Sequence, residues 1–453
     1  MPPNGLLVIF SRANIATFST SLAIQFCGLI TGILTARLLG PTARGELATV
    51  MIWPMILSNL GLLGCNWALA REVSANPLHE ADLIRAALTV GFAAACLSVV
   101  LGYWLIPYLL PMDRRYLGSL VRVCLLSIPL GIFNQTLLAI EHGRMRWRRY
   151  NVVRASFFVF YVILISLIAL SRKPQIQWFV WAYLASHALT VILRLVMQRE
   201  FFIAGEVRIA ECLQLLRRGL PYFWATASNL LALQLDGIIV VSLMSTQAAG
   251  IYAVAVTFSS AQSSLSEALG ITSFALLSNE KNIDRQGKIL TETFRQATLT
   301  SACLGLLLCC IVPLLIEPLF GHGFAQAVQP AVILTAAAML TTPTGILIQG
   351  LRGAGRPYPG LASQLSGTAA LAIGAALLLP NFGLMGMAWA VVLSACVQIV
   401  LLIGAASTLL QLSPLCFWPF GVKDVREFWR SVMAMRLRYS RSAAYEVHIE
   451  DPS

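Results

Sequence analysis

Residues 31–48, TGILTARLLGPTARGELA, align without a gap with residues 236–253, DGIIVVSLMSTQAAGIYA, when the chain is shifted by 205 positions. Six of the eighteen aligned positions are identical: Gly32 with Gly237, Ile33 with Ile238, Leu38 with Leu243, Ala43 with Ala248, Gly45 with Gly250, and Ala48 with Ala253. Matching glycines are more informative than matching leucines, because glycine permits backbone conformations that other residues avoid. The alignment therefore predicts that the chain contains two copies of one structural unit.

The composition indicates a membrane protein. Of 453 residues, 58% are apolar and 11% are Asp, Glu, Lys or Arg, whereas about 25% of the residues in a typical soluble domain are charged. The net charge is +12, but the charges form short clusters between apolar blocks, not a continuous face that could bind nucleic acid. We therefore predict that the partner is the lipid bilayer and that the chain binds no nucleic acid. The ten cysteines include no CxxC or Cys/His spacing, so no metal site is predicted.

The apolar blocks predict the fold. A hydrocarbon core of about 30 Å needs roughly 20 helical residues, and this criterion selects twelve spans: 13–36, 47–70, 86–110, 120–140, 155–170, 179–197, 222–244, 251–277, 296–316, 326–350, 359–379 and 385–411. We predict an all-α integral membrane protein with twelve transmembrane helices in two six-helix lobes around a central cavity. Six spans per copy is an even number, so the two lobes have the same orientation and are related by an axis along the membrane normal.

Four segments follow from these spans. Residues 1–197 form an N-terminal six-helix lobe, 198–221 an amphipathic cytoplasmic linker helix, 222–411 a C-terminal six-helix lobe, and 412–453 a basic cytoplasmic tail. In 207–220, Ile209, Cys212, Leu213, Leu216 and Leu220 share one helical face. That segment and residues 422–436 are predicted to lie on the inner leaflet, where cations are attracted to anionic lipid.

The distribution of cations predicts the orientation. With the N-terminus inside, 25 Lys and Arg residues lie on the inner side and 7 on the outer side. Positive charge is retained on the cytoplasmic side of a membrane. The chain is therefore predicted to be a multi-pass protein of the cell (inner) membrane with both termini in the cytoplasm.

The repeated segments resemble a known family. ARLLGPTARGELA, residues 36–48, its copy in the second half, and the Gly-Arg steps Gly143-Arg144 and Gly355-Arg356 resemble polysaccharide flippases. These form the oligosaccharide-lipid branch of the multidrug/oligosaccharidyl-lipid/polysaccharide exporter superfamily. The resemblance covers about residues 10–411, although the second copy has Ser245 and Thr246 in place of the Gly-Pro pair.

This resemblance implies two six-helix lobes that work by alternating access. It implies export of a polyprenyl-diphosphate-linked oligosaccharide for a surface polysaccharide, which is O-antigen, capsule or exopolysaccharide. Other polysaccharide-assembly proteins are further partners that the resemblance suggests. It names no cofactor, and coupling to H⁺ or Na⁺ stays open.

Two carboxylates lie well inside predicted spans, Asp236 and Glu267. Each would cost about 3 kcal/mol at the bilayer centre if it were ionised and unpaired, so each is expected to face a partner or a water-filled cavity. Asp236 lies near Asn229 and Gln234, and we predict that these three residues bind substrate. Asp236 and Glu267 are also candidates for ion coupling, but they differ in depth by about 12 Å and are not expected to form a pair. The structural alternative for Asp236 is an interhelical hydrogen bond or salt bridge, with Arg37 or Arg122 as possible partners.

Arginines are the candidate ligands for the substrate phosphates. Arg37 is placed at the outer mouth, where it binds a phosphate or sugar or instead extends its guanidinium to the interface. Arg144 and Arg352 close the fourth and tenth spans at the inner side. His187, in the sixth span, is interpreted as a hydrogen-bonded core residue, with a proton relay as the alternative.

No catalytic motif is present. RGAGRP, residues 352–357, lacks the GK[ST] ending of a phosphate-binding P-loop, and the outer connections are too short to hold an active site. We therefore predict a transporter and not an enzyme. Two alternatives stay open: a cation-coupled multidrug or small-molecule antiporter of the same superfamily, and a membrane-embedded glycan polymerase or ligase.

Overall fold

The computed structural model describes residues 12–75, 80–171, 174–197, 207–262, 270, 273–274, 276–278, 280 and 282–417, and these ranges contain helices and turns but no β-strand. The helices are α1 Arg12–Gly61, α2 Cys65–Ala75, α3 Glu80–Leu109, α4 Gly118–Cys124, α5 Ser127–Gly143, α6 Trp147–Ala169, α7 Ile176–Met197, α8 Ile209–Leu243, α9 Thr246–Ser259, α10 Ile283–Phe320, α11 Val328–Gly353 and α12 Tyr358–Leu409. Short 3-10 helices form at Met112–Leu117, Ser260–Gln262, His322–Ala327 and Pro414–Phe417. We call residues 12–197 the first half and residues 207–417 the second half.

The helices confirm an all-α membrane protein. Among the described residues, 8 helices are long and apolar enough to cross a membrane. A ninth candidate is the pair Met112–Cys124 and Ser127–Gly143, which is bent by 42°. The count of twelve spans stays a prediction, as does the division into two lobes.

Helix α12 is a hairpin. Its 52 residues would extend about 78 Å at 1.5 Å per residue, far more than the hydrocarbon core. Backbone torsions leave the helical region at Gly383 (φ 55°, ψ −133°), and positive φ favours glycine. Gly374 approaches Ala390, and the Ser394 hydroxyl donates a 2.7 Å hydrogen bond to the carbonyl of Gly367. The two arms of α12 therefore run antiparallel.

Helix α1 also reverses, at the Gly-Pro pair that marks the first copy of the repeat. Gly40 has φ 72° and ψ 176°, a conformation that glycine adopts without strain. Pro41 follows and begins the second arm, where the missing N–H of proline does no harm because the first N–H groups of a helix have no partner within it. The motif predicted from sequence thus makes the turn between the two arms.

The contacts of α1 show that both of its ends lie at one end of the bundle. Asn151 and Arg154, in the first turns of α6, donate 3.1 Å hydrogen bonds to Thr17 and Ser21. The other arm leads into α2, which packs against the end of α5 only a few residues before α6 begins. We call this the predicted inner end, and the end with the turn at Gly40 the predicted outer end.

The halves share a hydrophobic core. Ala36 and Ile52 of the first half are buried in one cluster with Val240, Tyr252 and Phe324 of the second half. A second cluster lies within the first half, a third joins the first half to the start of α8, and a fourth lies within the second half. The region between the halves is therefore packed like a protein interior near the predicted outer end.

The predicted linker helix, 198–221, is described by the structure only from residue 207 and stays a prediction. Residues 209–220 are the start of α8, which continues through Pro221 to Leu243. Leu215 is buried against the first half, and Arg218 forms an ion pair with Glu72. Leu213 and Leu220 stay exposed, so the predicted apolar face is divided between protein contacts and an open surface. Residues 198–206, the amphipathic segment 422–436 and most of the tail lie outside the described residues.

Candidate functional site

The repeat-related glycines Gly45 and Gly250 contact each other at the predicted outer end. An added Cβ on Gly45 would overlap the carbonyl oxygen of Thr246, and one on Gly250 would overlap the carbonyl oxygen of Pro41. Thr246 is the residue that aligns with Pro41 in the repeat. The two contacts are therefore reciprocal, as a two-fold axis between the segments would make them. Small residues permit this close approach of two backbones.

Arg114 ties the two halves together beside these glycines. It lies in the 3-10 helix Met112–Leu117, and its side chain is only 1% exposed. Its guanidinium donates to the carbonyls of Val241 and Met244, and it also lies 3.4 Å from the Thr49 hydroxyl. Val241 and Met244 are at the C-terminal end of α8, where helix carbonyls lack intrahelical partners. A cation is favoured there because the helix dipole places negative charge at that end.

Arg37 makes a second tie of the same kind. Its Nε donates a 2.7 Å hydrogen bond to the carbonyl of Leu319, and its Nη2 donates to Pro318. These carbonyls belong to the last turn of α10 in the second half. Two arginines of the first half thus cap two helix ends of the second half. Together with the glycine contact they close the predicted outer end.

Asp236 is hydrogen-bonded within the second half. The Tyr252 hydroxyl donates to its Oδ2 at 2.8 Å, and the Gly237 N–H donates to its Oδ1 at 2.7 Å. Neither proposed cation is its partner. Arg37 bonds the end of α10, and the Arg122 guanidinium lies 4.9 Å from the centre of the Tyr103 ring.

The other predicted polar residues of this span are only partly brought together. Asn229 accepts a 3.2 Å hydrogen bond from Gln364. It lies two helical turns from Asp236 and therefore on the same face of α8, whereas Gln234 points to a different face. Glu267 lies outside the described residues.

Arg144 and Arg352 are at the predicted inner end. Arg144 follows the last turn of α5 and forms an ion pair with Glu80 at the start of α3. Arg352 lies in the last turn of α11 and is partly buried. The predicted arginines therefore divide into an outer set and an inner set, separated by the length of the bundle.

Sequence reasoning did not select Arg114 as a functional residue. It counted this arginine only as one of the outer cations. The sequence separation between Arg114 and its carbonyl partners is 127 to 130 residues. Its position in a short connection next to Asp113 carried no signal for those partners, because they are backbone atoms of another helix.

The profile of a family described as polysaccharide biosynthesis protein matches residues 11–278. This is more than half of the chain, so the chain belongs to that family, and the resemblance drawn from the repeated segments is confirmed. A search of curated protein sequences finds no match.

Solved structures share the fold. "Lipid II flippase MurJ, inward closed conformation" superposes with a TM-score of 0.71 at 13% sequence identity, covering 93% of this chain and 92% of that one. An inward-facing "multidrug resistance MATE family transporter of the MOP superfamily" gives a TM-score of 0.70 at 16% identity, covering 88% and 98%. An outward-facing structure with the same family description gives 0.63 at 14% identity, covering 91% and 99%. The chain thus has the fold of these transporters.

Proposed function

We propose that the chain is a flippase, not an enzyme, that moves a polyprenyl-diphosphate-linked oligosaccharide across the cytoplasmic membrane for surface polysaccharide synthesis. One observation carries the proposal: the repeat-related segments around Gly45 and Gly250 close one end of the bundle through reciprocal backbone contacts. Such a closure between two equivalent segments is what alternating access requires of one of its states. The family match and the similarity to a lipid II flippase support a lipid-linked glycan as the substrate.

The two sets of arginines suit a substrate with a diphosphate. Arg144, in its ion pair with Glu80, and Arg352 lie at the predicted inner end, where the substrate enters. Arg37 and Arg114 are held by carbonyls at the predicted outer end, and phosphate oxygens are stronger acceptors for guanidinium than neutral carbonyls. We propose that the halves separate at this end when the substrate leaves. Outward movement of negative charge is favoured by about 2.3 kcal/mol per charge per 100 mV of inside-negative potential.

The membrane topology is part of the same proposal. The reversals of α1 and α12 give each of these helices two arms, which supports twelve spans in two lobes with both termini inside. A reporter that is active only outside the cytoplasm should be active when fused after Asp113 and silent when fused after Arg148. The opposite pattern would overturn the orientation.

A cation-coupled antiporter of the same superfamily is the second candidate. It is favoured by one observation, the carboxylate of Asp236 inside the second half, bonded to Tyr252 and to no described cation. A glycan polymerase or ligase has no such observation in its favour. Among the described residues, the turns at Gly40 and Met112–Leu117 and the 3-10 helix His322–Ala327 leave no large segment at the predicted outer end.

Deletion of the chain tests the proposal. The lipid-linked glycan should accumulate in the inner leaflet and surface polysaccharide should disappear, while sensitivity to cationic drugs stays unchanged. Re-expression of the wild-type chain is the control and should restore the glycan. Normal surface glycan with loss of cation-dependent drug efflux would favour the antiporter and overturn the flippase.

A further inference from the structure

Two layers of polar residues lie between α5 and α7 in the first half. Asn134 and Glu141 are seven residues apart on α5, and His187 and Arg194 are seven residues apart on α7. Residues seven apart lie on one helical face about 10 Å apart, and both helices run from the predicted outer to the predicted inner end. The Asn134 amide donates a 3.3 Å hydrogen bond to the backbone carbonyl of His187, and Glu141 lies within electrostatic range of Arg194.

Three of these four residues are deeply buried, and His187 is half-buried with both ring nitrogens inside. Asn134 is 6% exposed, Arg194 is 3% exposed and Glu141 is fully buried. The His187 imidazole is enclosed by aromatic rings, with the centre of the Phe157 ring at 4.3 Å and that of Tyr183 at 4.8 Å. A histidine, an arginine and a glutamate thus lie in the interior of an apolar helix bundle.

Several of their polar atoms have no hydrogen-bond partner in the described part of the chain. These atoms are both ring nitrogens of His187, Oδ1 of Asn134, and Nε and Nη1 of Arg194. A buried polar group without a partner costs about 1–3 kcal/mol, and more when it is charged. Apolar residues of similar size would stabilise the bundle as well or better. The layers are therefore not explained by a contribution to stability.

The fold does not require these side chains either. The gapped repeat that aligns Gly131 with Gly345 and Gln135 with Gln349 places Ile348 opposite Asn134. The alignment of Gly143 with Gly355 places Gly353 opposite Glu141. In the second half, Ile348 is buried in an apolar cluster. The same helix position is thus apolar in one copy and polar in the other, which indicates a role specific to the first half.

We propose that His187 is a proton-binding site of the first half, with Glu141 and Arg194 setting its occupancy. The free lone pair of the imidazole takes a proton from water, which forms an imidazolium on the residue whose backbone carbonyl bonds the Asn134 amide. Only an N–H bond forms or breaks, and the proton returns to water on the opposite side of the membrane. Glu141 favours the imidazolium and Arg194 opposes it, so a change in the contact between those two charges changes proton binding.

The surrounding groups exclude a metal cation. The charged group that acts on His187 is Arg194, which in turn lies within electrostatic range of Glu141 and Tyr150, and the centre of the Tyr183 ring lies 4.8 Å from that of the imidazole. These groups include one carboxylate and one guanidinium, which is the wrong balance for Na⁺ or a divalent ion. Across all described residues, no group of three or more His, Cys, Asp or Glu could hold a metal ion.

The inference that proton movement drives the export of the glycan rests on the proposed function. The inference that His187 binds a proton does not rest on it, because proton binding is measured without any glycan. If the chain fails to export glycan but binds the proton, the flippase is wrong and the site stands. If export is normal and the proton site is absent, the flippase stands and the proton site is wrong.

Charge displacement after a pH jump tests the site. The full-length chain is reconstituted in liposomes adsorbed on an electrode, and the external pH is stepped without glycan. The wild type should give a transient current, and His187→Gln should reduce it to the level of empty liposomes. His142→Gln is the matched control, since His142 lies on α5 of the same half but contacts Trp67, Trp147 and Tyr150 near the predicted inner end. It should retain the current.

A second measurement needs no variant that could misfold. In ¹⁵N-histidine-labelled wild type in lipid nanodiscs, one of the five histidines should change between neutral and cationic forms from pH 5 to 8 while shielded from a paramagnetic agent in water. If the shielded imidazole stays neutral over this range, the proposal is overturned. A full current in folded His187→Gln would overturn it as well.

Discussion

The two halves of the chain share an aligned repeat and have different interiors. In the second half, several polar side chains of different helices pair with one another: Asp236 with Tyr252, Asn229 with Gln364, and Gln262 with Ser301. In the first half, His187, Asn134 and Arg194 have buried polar atoms without a partner in the described ranges, and Arg114 reaches out of its half to cap α8. The aligned segments of the two halves thus meet at Gly45 and Gly250, whereas the halves differ in the buried polar groups that they leave without a partner.

The contact between the halves should be the most sensitive feature. Gly250→Ala or Gly45→Ala places a Cβ on the backbone of the opposite copy. Overpacking of this kind costs about 1–3 kcal/mol, which would lower the population closed at the predicted outer end by about 5- to 150-fold. Surface polysaccharide should fall accordingly at equal protein abundance. Gly28→Ala is the control, because an added Cβ there meets no atom within 4 Å. Normal export in both interface variants would show that this closure is not needed.

Arg114→Gln should have the next largest effect. It removes one of the charge-assisted hydrogen bonds to Val241 and Met244, because the Gln amide can still donate to one carbonyl, and the loss is about 1.5 kcal/mol. The predicted outer end should then open, so that a cysteine placed at Thr246 reacts faster with a membrane-impermeant maleimide in intact cells. Arg115→Gln is the control because Arg115 is exposed. If both variants react alike, Arg114 does not hold the halves together.

Variants of Asp236 and Tyr252 test whether this hydrogen-bonded pair inside the second half has a functional role. Asp236→Asn keeps an acceptor for the Tyr252 hydroxyl, so protein abundance should hold while export falls if the charge acts on substrate or ion. Tyr252→Phe removes the hydrogen bond and keeps the carboxylate, at a cost of about 1 kcal/mol. Equal export per folded molecule in wild type and both variants would assign this pair to structure alone.

Arg37 should give the smallest effect, since it is exposed and its tie to α10 uses two carbonyls. Arg37→Gln should destabilise the closed state by about 1 kcal/mol, and export should therefore fall modestly. Because Arg37 and Asp236 have different partners, the double variant should be additive within about 0.5 kcal/mol. A larger coupling, measured from abundance and export of the two single variants and the double variant, would indicate the ion pair that the structure does not contain.

The class of the protein and part of its architecture could be predicted from the amino-acid sequence. Long apolar blocks can only be satisfied as helices in lipid, since every backbone group must bond internally. The repeat was found by aligning the chain with itself. The turn at the Gly40-Pro41 pair could be predicted from local chemistry, because few residues adopt a positive φ and proline starts a helix readily. These properties depend on neighbours in the chain, so a single sequence carries them.

The hydrogen-bond partners of the polar groups could be read only from the tertiary structure. Asp236 pairs with Tyr252 and not with Arg37, Arg37 bonds residues 281 and 282 positions away, and Arg114 bonds the end of α8. The rotation and axial position of each helix fix these partners. The sequence of an apolar helix specifies neither its rotation nor its axial position, because many packings bury a uniformly apolar surface about equally well. The reciprocal contact of Gly45 with Gly250 therefore required both halves in place, although the sequence had already aligned the two residues.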